Sequence, residues 1–278
     1  MGSATLRSSA HTLRYSSTRA VDKGPNVARR FPCEIRTADT ITYNTKDYDL
    51  RGYMTNLLLQ SADGLIGKLG SQRRLEDFQV PPQSLLSKKK QKSANKGMGE
   101  EAQRTLSEMV ENDDDFLTAF DQFVEKVVVP YLKRRLLQYQ SIERQDDEST
   151  TTFYIQRPPT VRIQPGPSIR GVPAHADATY GHQDGELNFW MPLTDPELTQ
   201  TDLWAERFPD QGDYEPSGTQ LGQVFVFHGS SCRHYVPPNP TSFSRVSLDF
   251  RIGVEGFFDP QWKLRGTKCD HKRRVLKS

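Results

Sequence analysis

Two histidines and an aspartate, His175-Ala176-Asp177 and His234 fifty-nine residues after His175, are the side chains of this 278-residue chain best suited to chemistry. Two imidazole nitrogens and one carboxylate oxygen can hold a divalent metal such as iron on one face and leave three coordination positions open. The His-X-Asp spacing suits this, because side chains two apart on an extended strand share a face. The motif is common, however, and the chain writes it again seven residues later as His182-Gln183-Asp184. The first copy is preferred because a turn-like stretch separates it from the run Leu187 to Leu193, which His182 and Asp184 almost abut. His228 competes with His234 for the third position, with a turn in His228-Gly229-Ser230 as its other reading.

The second piece is Arg245-Val246-Ser247. From Ser244 to Ile252 the side chains alternate strictly: Val246, Leu248, Phe250 and Ile252 on one face, Arg245, Ser247, Asp249 and Arg251 on the other. Such a strand can turn its polar face to water. Alternatively, Arg245 and Ser247 face inward, where the guanidinium forks onto a carboxylate and the hydroxyl adds a hydrogen bond. A buried arginine without its anion would be costly, so that arrangement calls for an anionic co-substrate.

These residues need a scaffold. From Phe153 onward, short runs rich in β-branched and aromatic residues alternate with Pro, Gly and Asp: Phe153 to Ile155, Val161 to Ile163, Leu187 to Leu193, Gln223 to Phe227 and Arg245 to Ile252. That texture predicts a β-sandwich or barrel. Upstream, Phe116, Phe120, Phe123 or Val124, Val127 and Tyr131 recur at helical spacing behind a cap at Asn112 or Asp113, with Pro130 kinking that helix or starting another. This helix is read as scaffold packed on the back of a sheet.

The division read from sequence is 1–29 as a disordered or transit-like N-terminus, 30–262 as a single domain and 263–278 as a flexible basic tail. Within the domain, 81–104 is a flexible insert, 105–145 a helical scaffold and 153–257 the β-core. Arg7, Arg14 and Arg19 among Ser and Thr fit an organelle transit segment or an unstructured start equally; the cytoplasm is otherwise the expected compartment. Net charge is only +2, so nucleic acid is not an expected partner, and the lysines from 88 to 96 lack interleaved aromatics to stack on bases. No stretch is apolar for long enough to span a membrane. Cys33, Cys232 and Cys269 are too scattered for a disulfide framework.

Taken in order, His175-Ala176-Asp177, His234 and Arg245 eleven residues later with Ser247 resemble the iron(II)/2-oxoglutarate-dependent oxygenase superfamily. "HADATYGHQDGELNFWMPLTD" with "SRVSLDFRI" is similar, more narrowly, to a small-molecule-modifying subgroup that includes an oxygenase of streptomycin biosynthesis. The resemblance covers about Thr160 to Phe257. It implies a mainly β fold with flanking helices, a double-stranded β-helix (jelly roll, cupin-like) with N-terminal helices packed on one sheet. It implies Fe(II) held by His175, Asp177 and His234, which are also the catalytic set. 2-Oxoglutarate would be anchored by Arg245 and Ser247 with Asn188 as a further contact, dioxygen would be the oxidant, and ascorbate an optional reductant. Asp177 implies hydroxylation or a related oxidation, since halogenating relatives carry a small residue there.

Tyr180, Trp190, Trp204, Glu206 and Asp213 are candidate contacts to a small-molecule substrate, although core packing explains the aromatics as well. Glu206 lies in the Asp- and Pro-rich stretch Thr194 to Gly218, read as an inserted lid. Arg233 places an unassigned cation beside His234. Two other readings stay open: a cupin-like binding protein without catalysis, and a zinc hydrolase using the same His2Asp set.

Overall fold

A computed structural model describes residues 30–60, 66–70, 72–80, 100–143, 150–262 and 272–278. The 1–29 segment, the lysine-bearing 81–99 and Cys269 lie outside the described residues. Among the described residues there are eleven strands: β1 (Asp39–Thr42), β2 (Thr152–Gln156), β3 (Thr160–Gln164), β4 (Val172–His175), β5 (Glu186–Pro192), β6 (Trp204–Glu206), β7 (Tyr214–Pro216), β8 (Gln223–Phe227), β9 (His234–Val236), β10 (Arg245–Val254) and β11 (Arg273–Lys277). The larger sheet runs β1-β8-β5-β10-β2-β11, with β3 also pairing β10; the smaller runs β4-β9-β6-β7. Every pairing is antiparallel. Two facing antiparallel sheets of this kind form a mainly β fold of the jelly-roll type.

Strand β10 shows why the sequence chooses this arrangement. It is central, pairing β5 on one side and β2 and β3 on the other. Its apolar face, Val246, Leu248, Phe250 and Ile252, joins Leu187, Phe189 and Met191 of β5 and Val224 and Val226 of β8 in the main core. Helices α1 (Cys33–Arg36), α2 (Leu50–Leu59), α3 (Glu100–Asn112), α4 (Asp114–Phe123) and α5 (Val129–Glu143) contribute to the same core. Phe250 lies at its centre, edge-on to Phe120 of α4 at 5.0 Å and stacked on Phe189 at 5.2 Å. Burying a phenylalanine contributes about 2 to 3 kcal/mol, so this contact fixes which face of β10 meets the helices. The polar face of β10 must then point between the sheets.

Asp113 caps α4 by accepting from the Phe116 N–H at 2.8 Å, as its spacing predicts. A π-helical segment, Val124–Val128, separates α4 from α5, and Pro130 stands in the first turn of α5. The helical run continues unbroken through Pro130, and the π-helical turn before it is the irregularity that lies next to the proline.

Three expectations need correction. The C-terminal end is not a free basic tail, because β11 pairs with β2 from Arg273↔Gln156 to Lys277↔Thr152. Its arginines have partners: Arg273 donates to Glu186 Oε2 at 2.9 Å, and Arg274 pairs with Asp121 at 3.0 Å and with Glu125. Residues 100–104, expected to belong to a flexible insert, lie in α3, which begins at Glu100; the rest of that expectation falls outside the described residues. The stretch Thr194 to Gly218 is not a lid: β6 and β7, half of the smaller sheet, lie within it. Among the described residues, no helix is long and apolar enough to cross a membrane.

Candidate metal centre

His175 ends β4, and its partner across the sheet on β9 is His234. Two more residues, through the extended Ala176, bring the chain to Asp177 at the start of a 3-10 turn, Asp177–Tyr180, which closes at Gly181 with φ of 90°. Glycine tolerates that left-handed conformation without a Cβ clash. The result is a cluster in which His175, Asp177 and His234 each offer a ligand atom within 4.8 Å of the others. Asp177 Oδ1 lies 3.7 Å from His175 Nε2 and 3.5 Å from His234 Nε2.

The tautomers follow from the neighbours. His175 Nδ1 donates to the Pro173 carbonyl at 2.8 Å, and His234 Nδ1 donates to the Cys232 carbonyl at 3.2 Å. A carbonyl only accepts, so each proton sits on Nδ1 and each Nε2 lone pair faces the cluster. Burial holds His234 below its ordinary pKa, which favours the neutral, ligating form.

Asp177 is 2% exposed. Burial alone would raise its pKa, but Arg251, His234 and the Asn188 hydrogen bond outweigh burial and hold the carboxyl well below the usual range. Its Oδ2 accepts from Arg251 Nε at 2.9 Å, Arg251 Nη2 at 2.7 Å and Asn188 Nδ2 at 2.7 Å. Asn188, expected as a co-substrate contact, is here a brace for Asp177. Its other amide atom is also engaged, accepting from the Gly229 N–H at 3.1 Å. A Cβ at Gly229 would fall 2.6 Å from the Asn188 amide, so only glycine permits the approach.

The competing residues are occupied elsewhere. His182 Nδ1 pairs with Glu186 at 2.6 Å, and Asp184 meets Arg30 and Arg36. His228 Nε2 donates to the Asp184 carbonyl at 2.9 Å, which leaves Nδ1 to accept from the Ser231 hydroxyl at 2.6 Å. Neither ring nitrogen of His228 is available to a metal.

Arg245 and Ser247 lie on the inner face of β10, 3% and 0% exposed. Arg245 Nε donates to Gln164 Oε1 at 3.1 Å, and its guanidinium carbon stands 6.0 Å above the Trp190 ring. Arg245 Nη1 and Ser247 Oγ are buried without a hydrogen-bond partner. Burial and the nearby Arg162 push Arg245 down to about 10, so it remains a cation at neutral pH. Two buried donors on one face of β10 are thus left without an acceptor, an arrangement that is costly unless an anion or polar group completes it.

The remaining expected contacts divide. Tyr180 is 59% exposed and edge-on to His175 at 5.3 Å, at the rim of the metal site. Trp190 is buried and walls the space under Arg245. Trp204 does not face the site: it pairs with Tyr235, whose neighbour His234 points inward, so Trp204 and Tyr235 stack on the outer face at 5.9 Å. Glu206 does not face a substrate either, because its carboxylate accepts from the backbone N–H groups of Gly212, Arg233 and Asp210. Asp213 likewise accepts from the N–H groups of Arg207 and Phe208. Arg233 is exposed and adds no charge to the centre.

Sequence reading placed Arg251 on the polar face of β10 but gave it no role; sharing that face with Arg245 and Ser247 was the available signal. Gln164, which orients Arg245, carried no such signal, because only strand register brings it opposite Arg245.

No family model matches the chain. A 113-residue stretch, 41% of the chain, is 35% identical to the streptomycin biosynthesis protein StrG of Streptomyces griseus and covers 53% of it. The chain thus matches about half the length of this curated relative. Among solved structures, it is similar to the nickel complex of the non-heme monooxygenase ThoJ at 14% identity, covering 86% of this chain and 84% of that one with a TM-score of 0.40. The non-heme alpha ketoglutarate dependent carbocyclase SnoK from nogalamycin biosynthesis aligns at 14% identity, covering 90% and 92% with a TM-score of 0.39. A prolyl-4-hydroxylase of Pseudomonas putida aligns at 13% identity, covering 83% and 99% with a TM-score of 0.40. At such TM-scores the chain paths differ widely, and the site assignment rests on the geometry above.

Proposed function

We propose that the protein is an iron(II)- and 2-oxoglutarate-dependent dioxygenase that hydroxylates or otherwise oxidises a C–H bond of a small molecule. The observation that carries this reading is the pair of unpartnered buried donors, Arg245 Nη1 and Ser247 Oγ, beside a His2Asp cluster whose Nε2 lone pairs converge. A zinc hydrolase would have no use for that anion site, whereas a keto-acid with a distal carboxylate fills it. Charge balance supports the same reading. Arg251 is offset by Asp177, Asp249 and Glu186, whereas Arg245 has Asp202 and Asp249 nearby but is opposed by Arg162 and holds no direct carboxylate contact. An anion bound beside Arg245 would supply the partner that this guanidinium lacks.

In this reading His175, Asp177 and His234 hold the metal. Arg245 grips the C5 carboxylate with Ser247 as second donor, Gln164 fixes the guanidinium, and Trp190 covers it. Iron and 2-oxoglutarate, when bound, supply the oxidising chemistry, releasing succinate and carbon dioxide. The chain's own part is to orient the co-substrate, keep the carboxylate of Asp177 ionised and exclude water from the space between the sheets. Tyr180 at the rim is the side chain best placed to meet the substrate. The similarity to a streptomycin biosynthesis protein supports a natural-product-like small molecule.

The test is anaerobic addition of ferrous iron and 2-oxoglutarate to the full chain. A weak visible band from the iron–keto-acid chelate is expected in the wild type and lost in Asp177→Ala. Absence of the band in the wild type, with no succinate formed under air, would remove the proposal.

A further inference from the structure

The two oxygens of Asp177 have different surroundings. Oδ1 faces both histidine Nε2 atoms. Oδ2 faces the opposite way and accepts three N–H groups, two from Arg251 and one from Asn188. Three donors exceed the two lone pairs of a carboxylate oxygen, so Oδ2 has none left for a metal. The donors are themselves fixed. Arg251 and Asn188 are directly opposite one another on β10 and β5, and Arg251 Nη1 also donates to Gln156 Oε1 at 3.2 Å. Arg251 is only 3% exposed, so the fork has little room to swing away.

We propose that Arg251 is a positioning residue of the metal centre: its fork onto Oδ2, completed by Asn188, makes Asp177 bind a divalent metal through Oδ1 alone. This rests on the metal-site reading above. The consequence is a matter of counting. Six-coordinate metal held by three protein atoms has three positions left, two for a chelating keto-acid and one for dioxygen. A carboxylate free to bind through both oxygens would take one of these, and the keto-acid would then fill the site. Arg251 thus keeps open the position at which dioxygen must arrive.

The experiment loads the full-length wild type and Arg251→Gln with Mn(II) and measures water-proton relaxation per bound ion. The wild type should keep three exchangeable waters. Arg251→Gln should lose about a third of the relaxivity, because the released Oδ2 displaces one water. With saturating 2-oxoglutarate, one water should remain in the wild type and none in the variant. Equal relaxivity per bound ion in the two proteins overturns the proposal, even if the variant unfolds at lower temperature, since that is the signature of a purely structural role. Should Arg251→Gln fail to fold, Arg251→Lys, which keeps the charge and loses the planar fork, must also fall below the wild type; wild-type relaxivity there overturns the proposal equally. If Mn(II) does not bind the wild type, the metal-site reading itself fails and this inference falls with it.

Discussion

Arg245 and Arg251 occupy one face of one strand, six residues apart, and the structure gives them opposite tasks. Arg251 is saturated: its partner Asp177 is within 2.7 Å, and Asp177, Asp249 and Glu186 overcome the effect of burial to raise its pKa. Arg245 is under-satisfied, with burial pulling its pKa down and one Nη lacking a partner. A saturated arginine is part of the frame; one left short of a partner is, under the function proposed above, the group that meets the keto-acid. Arg245→Gln should therefore weaken 2-oxoglutarate by at least about 30-fold, the low end for losing one member of a buried charge pair. Metal affinity should stay within a few-fold. Titration of the Mn(II) form with 2-oxoglutarate checks this, and parallel loss of both affinities would show that Arg245 serves the metal instead.

The last strand contributes more than an edge. Arg273 of β11 reaches Glu186, which is 1% exposed and also accepts from His182 at 2.6 Å. Arg273→Ala would leave a buried carboxylate with a weaker partner, at a cost of about 3 kcal/mol. Urea unfolding at neutral pH measures this directly. A cost below roughly 0.5 kcal/mol, as for a solvated surface pair, would mean that β11 does not lock the sheet. A run of basic residues reads as solvated in sequence because charge patterning carries no register. Only pairing with β2 turns alternate positions of β11 towards Glu186 and towards Asp121 and Glu125.

The whole molecule carries a pH dependence through His228. Burial lowers its pKa below the ordinary 6.5, and the neutral ring is what donates to Asp184 and accepts from Ser231. The unfolded chain therefore binds the proton more readily than the folded one. Stability from this group is complete above about 6.5 and is lost as pH falls below it, with a slope of up to about 1.4 kcal/mol per unit until the lower folded value is reached. Metal-free protein should lose more stability than His228→Gln as pH falls through this range. Equal losses in urea titrations of the two proteins would show that His228 is not the group responsible.

The periodicities were legible without coordinates. Strict alternation marked β10, and helical spacing with an aspartate cap marked α4, because each depends on neighbours within a few residues. The family resemblance, rather than spacing alone, pointed to His175, Asp177, His234, Arg245 and Ser247. What spacing could not tell was which of two His-X-Asp copies is free, which face of β10 is buried, or whether Asn188, Glu206 and Arg251 serve ligand or frame. Those depend on contacts between residues tens of positions apart, such as Arg251 with Asp177 and Arg233 with Glu206. A polar side chain declares its role only by its partner, and that partner is chosen when the two sheets close over one another.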